Sequence, residues 1–380
     1  MSEEKMKLEP MRVMARIDLG AVRANFEMMH RKLREGVKLC AVIKTDGYGH
    51  GAVPIAGMVQ DYPWLWGFAV ATAREAQELR EAGIEKPILI LGYVFEEDYE
   101  MLVRLDIRPA VFDRETAELL SAEALRQGKV LPVHIAVDTG MSRIGLSDDE
   151  SGLAQAEEIA ACRGLALEGI FTHFARADEK DKQNALNAAK RFTDFIEALA
   201  QRGIHPAIRH CSNSAGILEI PEVQLDMVRA GITIYGIYPS DEMDREANRL
   251  FPAMELISHV SFVKKIPEGT SVSYGGTFTA DRDMEVATIP VGYGDGYPRS
   301  LSGRGCVLIR GRRCPILGRV CMDQFMVDVT GMDVKRGERV VLMGRCGEEL
   351  ISVDELGALS GRFPYEFVCD IGKRVPRVYS

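Results

Sequence analysis

The stretch LCAVIKTDGYGHGA (residues 39–52) decides the architecture. Five residues suited to a buried strand, Leu39 to Ile43, run straight into Lys44, and a polar turn punctuated by Gly47, Gly49 and Gly51 follows. A strand interior has no use for an ammonium group, so the strand ends there and the lysine stands on its rim. The same texture recurs in WGFAV (66–70), PILIL (87–91), RPAVF (108–112), LPVHIAV (131–137), LEGIFTHF (167–174), PAIRHC (206–211) and QLDMVRAGITIYG (224–236). A helical stripe of Leu19, Val22, Phe26, Met29 and Leu33 precedes the first run, and periodic or short helical segments follow the others. Thr72 with Glu75, and Ser147 with Glu150, read as capping boxes that open two of those helices. Eight aliphatic runs alternating with helices predict a (β/α)8 barrel of the TIM type over residues 1–245. A doubly wound open sheet is the rival, weakened because no G-x-G-x-x-G follows the first strand.

Beyond residue 245 helical periodicity fades. LISHVSFVKKI (256–266), MEVATIPVGY (284–293), GCVLIRG (305–311) and RVVLMG (339–344) are separated by Gly- and Pro-rich turns, with one short capped helix after Ser352. Residues 246–380 therefore read as a second, mainly β domain.

Composition narrows the function. The 380 residues are 46% hydrophobic and carry a net charge of -9, which argues against nucleic acid or an anionic membrane as partner. Eight cysteines without a C-x-x-C pair read as reduced thiols. MSEEKMKLEP lacks the apolar core of a leader, and no run approaches the roughly 20 apolar residues of a membrane span, so the expected location is cytoplasmic.

Barrels of this kind keep reactive groups at the C-terminal ends of their strands. Lys44, Arg143, His173, Asn213, Ser214, Arg229 and Gly231 all fall there. One lysine, two arginines, a histidine and a hydroxyl on one rim make a cationic pocket for a small anion. A partly desolvated lysine among cations has a lowered pKa and attacks carbonyls to form an imine. If that carbonyl is pyridoxal 5'-phosphate (PLP), then Ser214, Tyr48 and amides near Gly231 are placed to hold the phosphate.

AVIKTDGYGHG, DTGMSRIG, FTHFARAD, SNSAG, VRAGITIYG, SVSYGGTF, VGYGDGY and CMDQFMVDVT, in this order and spacing, closely resemble the alanine racemase family. The resemblance runs from about residue 12 to the C-terminus. It implies a PLP-dependent racemase of small amino acids, built as a barrel plus a β domain. It also implies a head-to-tail homodimer, in which the β domain completes the partner's active site. Lys44 then holds PLP covalently and is the base on one substrate face. Tyr274 is the base on the other, supported by His173 and Arg229. Arg143, Met322 and Asp323 bind the substrate, and Tyr293 lines its entrance. Tyr48, Asn213, Ser214, Gly231 and Ile232 hold the cofactor, with Arg229 at its ring nitrogen. Two positions depart from the family pattern. Ala136 stands where many members carry a carbamylated lysine, and Lys373 where many have a phosphate-contacting tyrosine, so that it is expected to pair with the cofactor's phosphate as a flexible point charge. Both bear on specificity, so serine or a broader substrate set is the alternative to alanine. More distant readings are a non-catalytic PLP carrier, a related decarboxylase, or a metal-dependent hydrolase using His134, His173 and His210. The last lacks an H-x-H pair, and no metal site is expected.

Overall fold

The computed structural model describes residues 11–380; the N-terminal decapeptide read for a leader lies outside them. Strand β1 (Val13–Ile17) comes first, followed by β2 (Lys38–Val42), β3 (Leu65–Val70), β4 (Ile88–Ile90), β5 (Arg108–Val111), β6 (Leu131–Asp138), β7 (Leu146–Ser147), β8 (Leu165–Phe171), β9 (Ile208–His210) and β10 (Met227–Ala230). The chain divides into two compact units: Ala21–Pro252, and the described residues up to Gly20 together with Ala253–Ser380.

In the first unit the parallel order is β10-β2-β3-β4-β5-β6-β8-β9, with short β7 beside β6. The two ends are joined by backbone bonds from Asp226 N to Arg209 O (3.0 Å) and from Arg229 N to Ser212 O (2.9 Å). The sheet is thus a nearly closed eight-stranded barrel, not the open sheet. Strands covered on both faces must be apolar throughout, which is why the runs are continuous and not alternating. Ile88, Leu89 and Ile90 are all fully buried, each worth about 1.5–3 kcal/mol of transfer free energy. The helix Leu19–Arg31 buries Val22, Phe26 and Met29, as its stripe predicts. Its buried Asn25 ties it down, donating to Phe251 O (2.8 Å) and accepting from Phe251 N (2.8 Å).

The Thr72–Glu75 capping box is present at the start of Ala73–Glu81. The Ser147–Glu150 box is not. Asp149 caps Glu150–Ala160, its carboxylate accepting from Ser151 N (3.0 Å) and Gly152 N (3.2 Å). Ser147 instead belongs to β7 and donates to that carboxylate at 2.6 Å, while Glu150 pairs with Arg202. A carboxylate one residue from the helix outcompetes a hydroxyl three residues away.

In the second unit follow β11 (Met254–His259), β12 (Phe262–Ile266), β13 (Ser271–Val272), β14 (Phe278–Thr279), β15 (Met284–Ile289), β16 (Cys306–Ile309), β17 (Arg312–Leu317), β18 (Phe325–Asp328), β19 (Arg339–Cys346), β20 (Glu349–Ile351) and β21 (Arg377–Tyr379). Ten strands form one sheet in the order β12-β15-β18-β17-β16-β19-β11-β1-β21, with β20 on β19; β13 and β14 pair apart. Strand β1 lies between antiparallel β11 and parallel β21. Ser352 caps the helix Val353–Ser360, accepting from Glu355 N at 3.0 Å. The eight cysteines are free thiols. No helix among the described residues is long and apolar enough to cross a membrane.

Candidate active site

Strand β2 ends at Val42, and Ile43 N still reaches Ala69 O (2.9 Å). The chain then reverses hand. Thr45 (φ 54°, ψ 49°), Asp46 (φ 50°, ψ 51°), Gly47 (φ 61°, ψ 46°) and Tyr48 (φ 50°) form a left-handed turn. It is closed by bonds from Gly47 N to Ile43 O (2.8 Å) and Gly49 N to Thr45 O (2.9 Å). Each non-glycine residue in this conformation costs about 1–2 kcal/mol, so the turn persists only because its surroundings hold it. Asp46 Oδ1 accepts from Ala52 N (2.8 Å). Glu75 Oε1 accepts from Thr45 N (2.5 Å), while its Oε2 accepts from Ala71 N and Thr72 N (2.8 and 3.1 Å). The Tyr48 ring packs on Tyr235 (centroids 5.1 Å), whose hydroxyl donates to Val42 O (3.1 Å). Lys44 is thereby presented, half-buried, from a rigid base.

Beside the turn lies a cradle. Ser214 Oγ accepts from Gly231 N (2.9 Å) and from the Thr233 hydroxyl (3.0 Å). With its lone pairs so used, the Ser214 hydroxyl hydrogen remains to be donated. Gly231 keeps the space open, since a Cβ there would stand 3.2 Å from Tyr48 Oη and 3.7 Å from Ser214 Oγ. Hydroxyls of Ser214 and Tyr48 around a side-chain-free Gly231 suit a phosphate. Ile232 is buried and starts the 3-10 turn Ile232–Tyr235. Asn213 Oδ1 caps Ser214–Glu219, accepting from Gly216 N (3.0 Å).

Arg229 is almost fully buried, and its bonds run to neutral groups. Nη1 donates to His210 Nδ1 (2.7 Å) and His210 O (3.1 Å); Nη2 donates to Thr172 O (2.7 Å), Cys211 O (3.2 Å) and His173 Nδ1 (3.2 Å). Burial lowers its pKa to about 10, leaving it protonated at neutral pH. Burial first, then the charges of Arg229, Arg143 and Lys44, push His173 down to about 3. Those same charges place Lys44, Arg143, His173 and Arg229 in one electrostatic neighbourhood. Arg143 itself is exposed, on a loop shaped by Asp138 Oδ1 accepting from Gly140 N and Ser142 N (2.9 and 3.0 Å).

Ala136 sits in an apolar cluster with Ala110 and Phe171, flanked by Leu91 and Phe112. The histidines of the metal reading are engaged otherwise: His134 Nδ1 lies 2.9 Å from His210 Nε2, and His173 receives Arg229. Among the described residues no three His, Cys, Asp or Glu side chains group as a metal site.

Within the second unit Tyr274 is 70% exposed, on a turn whose Ser273, Gly275 and Gly276 all have positive φ. Ser273 Oγ anchors that turn by donating to Arg319 O (2.6 Å). Tyr293 and Met322 are brought together: Tyr293 N donates to Cys321 O (3.1 Å) and Gly294 N to Met322 O (2.8 Å). Gly292 permits the approach, because a Cβ there would meet Met322 O at 2.3 Å. Asp323 accepts from Arg374 (2.6 Å), next to exposed Lys373. Sequence reasoning missed Asp295, a buried carboxylate that accepts from Gly292 N (3.0 Å), Arg12 and Arg374 (2.7 Å) and so fixes this loop. It also missed Thr233 and Tyr235, whose polar atoms face inward from an aliphatic run. Glu75 was legible only as half of a capping box.

Known proteins match both halves of the chain. Residues 17–239 match the family description "Alanine racemase, N-terminal domain", and residues 253–379 match "Alanine racemase, C-terminal domain". A protein named alanine racemase from Desulforamulus reducens is 44% identical over 97% of this chain and 98% of its own length. One from Methanococcus maripaludis is 42% identical, with the same shares covered. The solved alanine racemase of Clostridium difficile superposes with a TM-score of 0.93 at 38% identity, covering 97% of this chain and 95% of that one. That of a D-cycloserine-producing Streptomyces lavendulae gives 0.90 at 33% identity, over 98% and 97% of the two chains. By both halves of its sequence and by its fold, this chain belongs to the alanine racemase family.

Proposed function

We propose that the chain interconverts L- and D-alanine with PLP by a two-base mechanism, in the cytoplasm, as a head-to-tail homodimer, and so supplies D-alanine for peptidoglycan. The observation that carries this reading is the meeting of half-buried Lys44 with two features at the barrel's strand ends. One is the hydroxyl-lined cradle at Gly231; the other is the cationic cluster of Arg143, His173 and Arg229. The cradle would take the cofactor's phosphate through Ser214, Tyr48 and backbone amides at Gly231 and Ile232, and Lys44 would hold its aldehyde carbon. When bound, PLP supplies a conjugated ring that withdraws electron density from the substrate α-carbon.

The remaining chemistry belongs to the side chains. Lys44 Nζ moves the proton at the α-carbon on one face. Tyr274 Oη, lent by the partner subunit from residues 246–380, moves it on the other. Arg229 only donates hydrogen bonds and keeps the cofactor's ring nitrogen unprotonated, which restrains side reactions. His173, held neutral, supports Tyr274. Arg143 with Met322 and Asp323 positions the substrate carboxylate, and Tyr293 lines the way in. The exposure of Tyr274, Tyr293 and Met322 on one unit suits a surface awaiting a second subunit.

The test is a panel of L-amino acids incubated with enzyme and PLP in deuterated water, followed by chiral analysis. The expected result is D-alanine carrying deuterium at the α-carbon. Comparable turnover of L-serine would favour the broader substrate set, consistent with Ala136 and Lys373. No exchange with any amino acid would overturn the racemase reading.

A further inference from the structure

A chain of hydrogen bonds runs from Arg229 across the barrel unit. Arg229 Nη1 donates to His210 Nδ1 (2.7 Å), His210 Nε2 lies 2.9 Å from His134 Nδ1, and His134 Nε2 lies 3.1 Å from Glu168 Oε2. Arg108 Nε closes it by donating to Glu168 Oε2 at 2.9 Å, while Arg108 Nη1 also pairs with Asp106 (3.1 Å). The five residues come from β10, β9, β6, β8 and β5. The chain therefore descends from the C-terminal end of β9, where His210 stands, to the first residue of β5, Arg108. His134 and His210 are fully buried, whereas Glu168 and Arg108 reach solvent.

The rings are seated for this role. A Cβ at Gly169 would stand 2.4 Å from His134 Nδ1, so the imidazole occupies space that only glycine leaves. Phe171 stacks on His210 (5.1 Å, 17°), and Trp66 lies against His134 (5.5 Å).

The two ends dictate the proton order. A guanidinium only donates. Burial pushes the Glu168 carboxyl up, but the bonds from His134 and Arg108 more than offset it, so it is ionised and only accepts. Between a pure donor and a pure acceptor one arrangement satisfies every bond: both imidazoles neutral, each bare at Nδ1 and protonated at Nε2. Burial above all holds both below the ordinary histidine value of 6.5, as neutrality requires.

We propose that Glu168 is a positioning residue for Arg229, acting through His134 and His210 in this single proton order, with Arg108 keeping the carboxylate ionised. The Arg229 charge, which has no carboxylate among its partners in the described residues, is balanced at the far end of the relay, and its Nη1 is locked in direction. The catalytic consequence rests on the role proposed above for Arg229, but the proton order belongs to the protein alone.

Histidine-selective 15N labelling of the full-length protein, with and without PLP, tests this, the ring signals being assigned with His134→Gln and His210→Gln. Both wild-type rings should show bare Nδ1 and protonated Nε2. Glu168→Ala should scramble the His210 tautomer and lower kcat about ten-fold with little change in KM. Glu168→Gln, whose amide oxygen still accepts from His134 but carries no charge, should restore the tautomer and only part of kcat. Gly169→Ala, which displaces the His134 ring, should mimic Glu168→Ala. If Glu168→Ala does not fold, the wild-type and Gly169→Ala spectra still decide. A hydrogen on Nδ1 of either wild-type ring, or a His210 signal indifferent to Glu168→Ala and Gly169→Ala, would overturn the proposal. Loss of PLP binding or of racemisation with the wild-type proton order intact would instead overturn the functional reading.

Discussion

Gly231 illustrates how much one absent side chain does. Its missing Cβ leaves room between Tyr48 Oη and Ser214 Oγ, where a methyl would be 3.2 Å from the former. If that room holds the cofactor's phosphate, Gly231→Ala weakens PLP binding about ten-fold, some 1.4 kcal/mol. Spectrophotometric titration of apo-protein measures this, with thermal melts of the same samples separating crowding from misfolding; unchanged affinity would remove the cradle from the site. At this scale the sequence was informative wherever a residue type is costly in its place. A lysine at a strand end, an arginine inside an aliphatic run and a glycine near it each pass for structure when taken alone, and only the motifs around them mark them as candidates. Asp295 and Thr233 were not legible, because a carboxylate in a glycine-rich turn and a threonine in a β-like run are ordinary until their partners are seen.

Among the elements, the left-handed turn after β2 stores strain that its neighbours offset. Glu75 serves both the helix Ala73–Glu81 and the amide of Thr45, so its two duties separate by mutation. Thr72→Ala removes the cap alone and should cost about 1 kcal/mol. Glu75→Ala should cost about 2 kcal/mol, because it also frees the Thr45 amide and leaves three left-handed non-glycine residues less restrained. It should weaken PLP binding too, as Thr72→Ala should not. Urea unfolding of both variants checks this, and equal costs would mean that the turn holds itself. The glycines announced a turn here, but its hand also rests on Thr45, Asp46 and Tyr48, of which only the aspartate is of a type that enters the left-handed region with any ease. The Ser147 cap failed for the opposite reason. The pattern was present, and a nearer carboxylate on Asp149 took the amides.

For the whole molecule, acid is the informative perturbation. His134, His173 and His210 are all depressed from 6.5, mainly by burial. The unfolded chain protonates such groups near 6.5 while the fold keeps them neutral, so the unfolded state binds more protons below that pH. Stability should be complete above pH 6.5 and fall as pH drops through it. Depressed carboxylates such as Asp295, pushed up by burial but brought down further by Arg12 and Arg374, add their loss below their ordinary 3.8. Thermal melts from roughly pH 7.5 to 5 read the histidine part alone; a flat Tm would mean that these rings are charged in the fold. The proposed dimer has its own test. Inactive Lys44→Ala and inactive Tyr274→Phe subunits, mixed and exchanged, should regain activity in the one hybrid site that keeps both groups, and no rescue after verified exchange would refute a shared site. One thing followed from the sequence by itself: the barrel, because strands buried on both faces must be apolar without interruption. Only the tertiary structure decided that VMARI (13–17) joins the sheet of the second unit, between β11 and β21. It alone also decided the hand of the Lys44 turn and the linkage of Arg229 to Glu168. Each of these is set by a partner far along the chain, and no local pattern encodes the far side of a hydrogen bond.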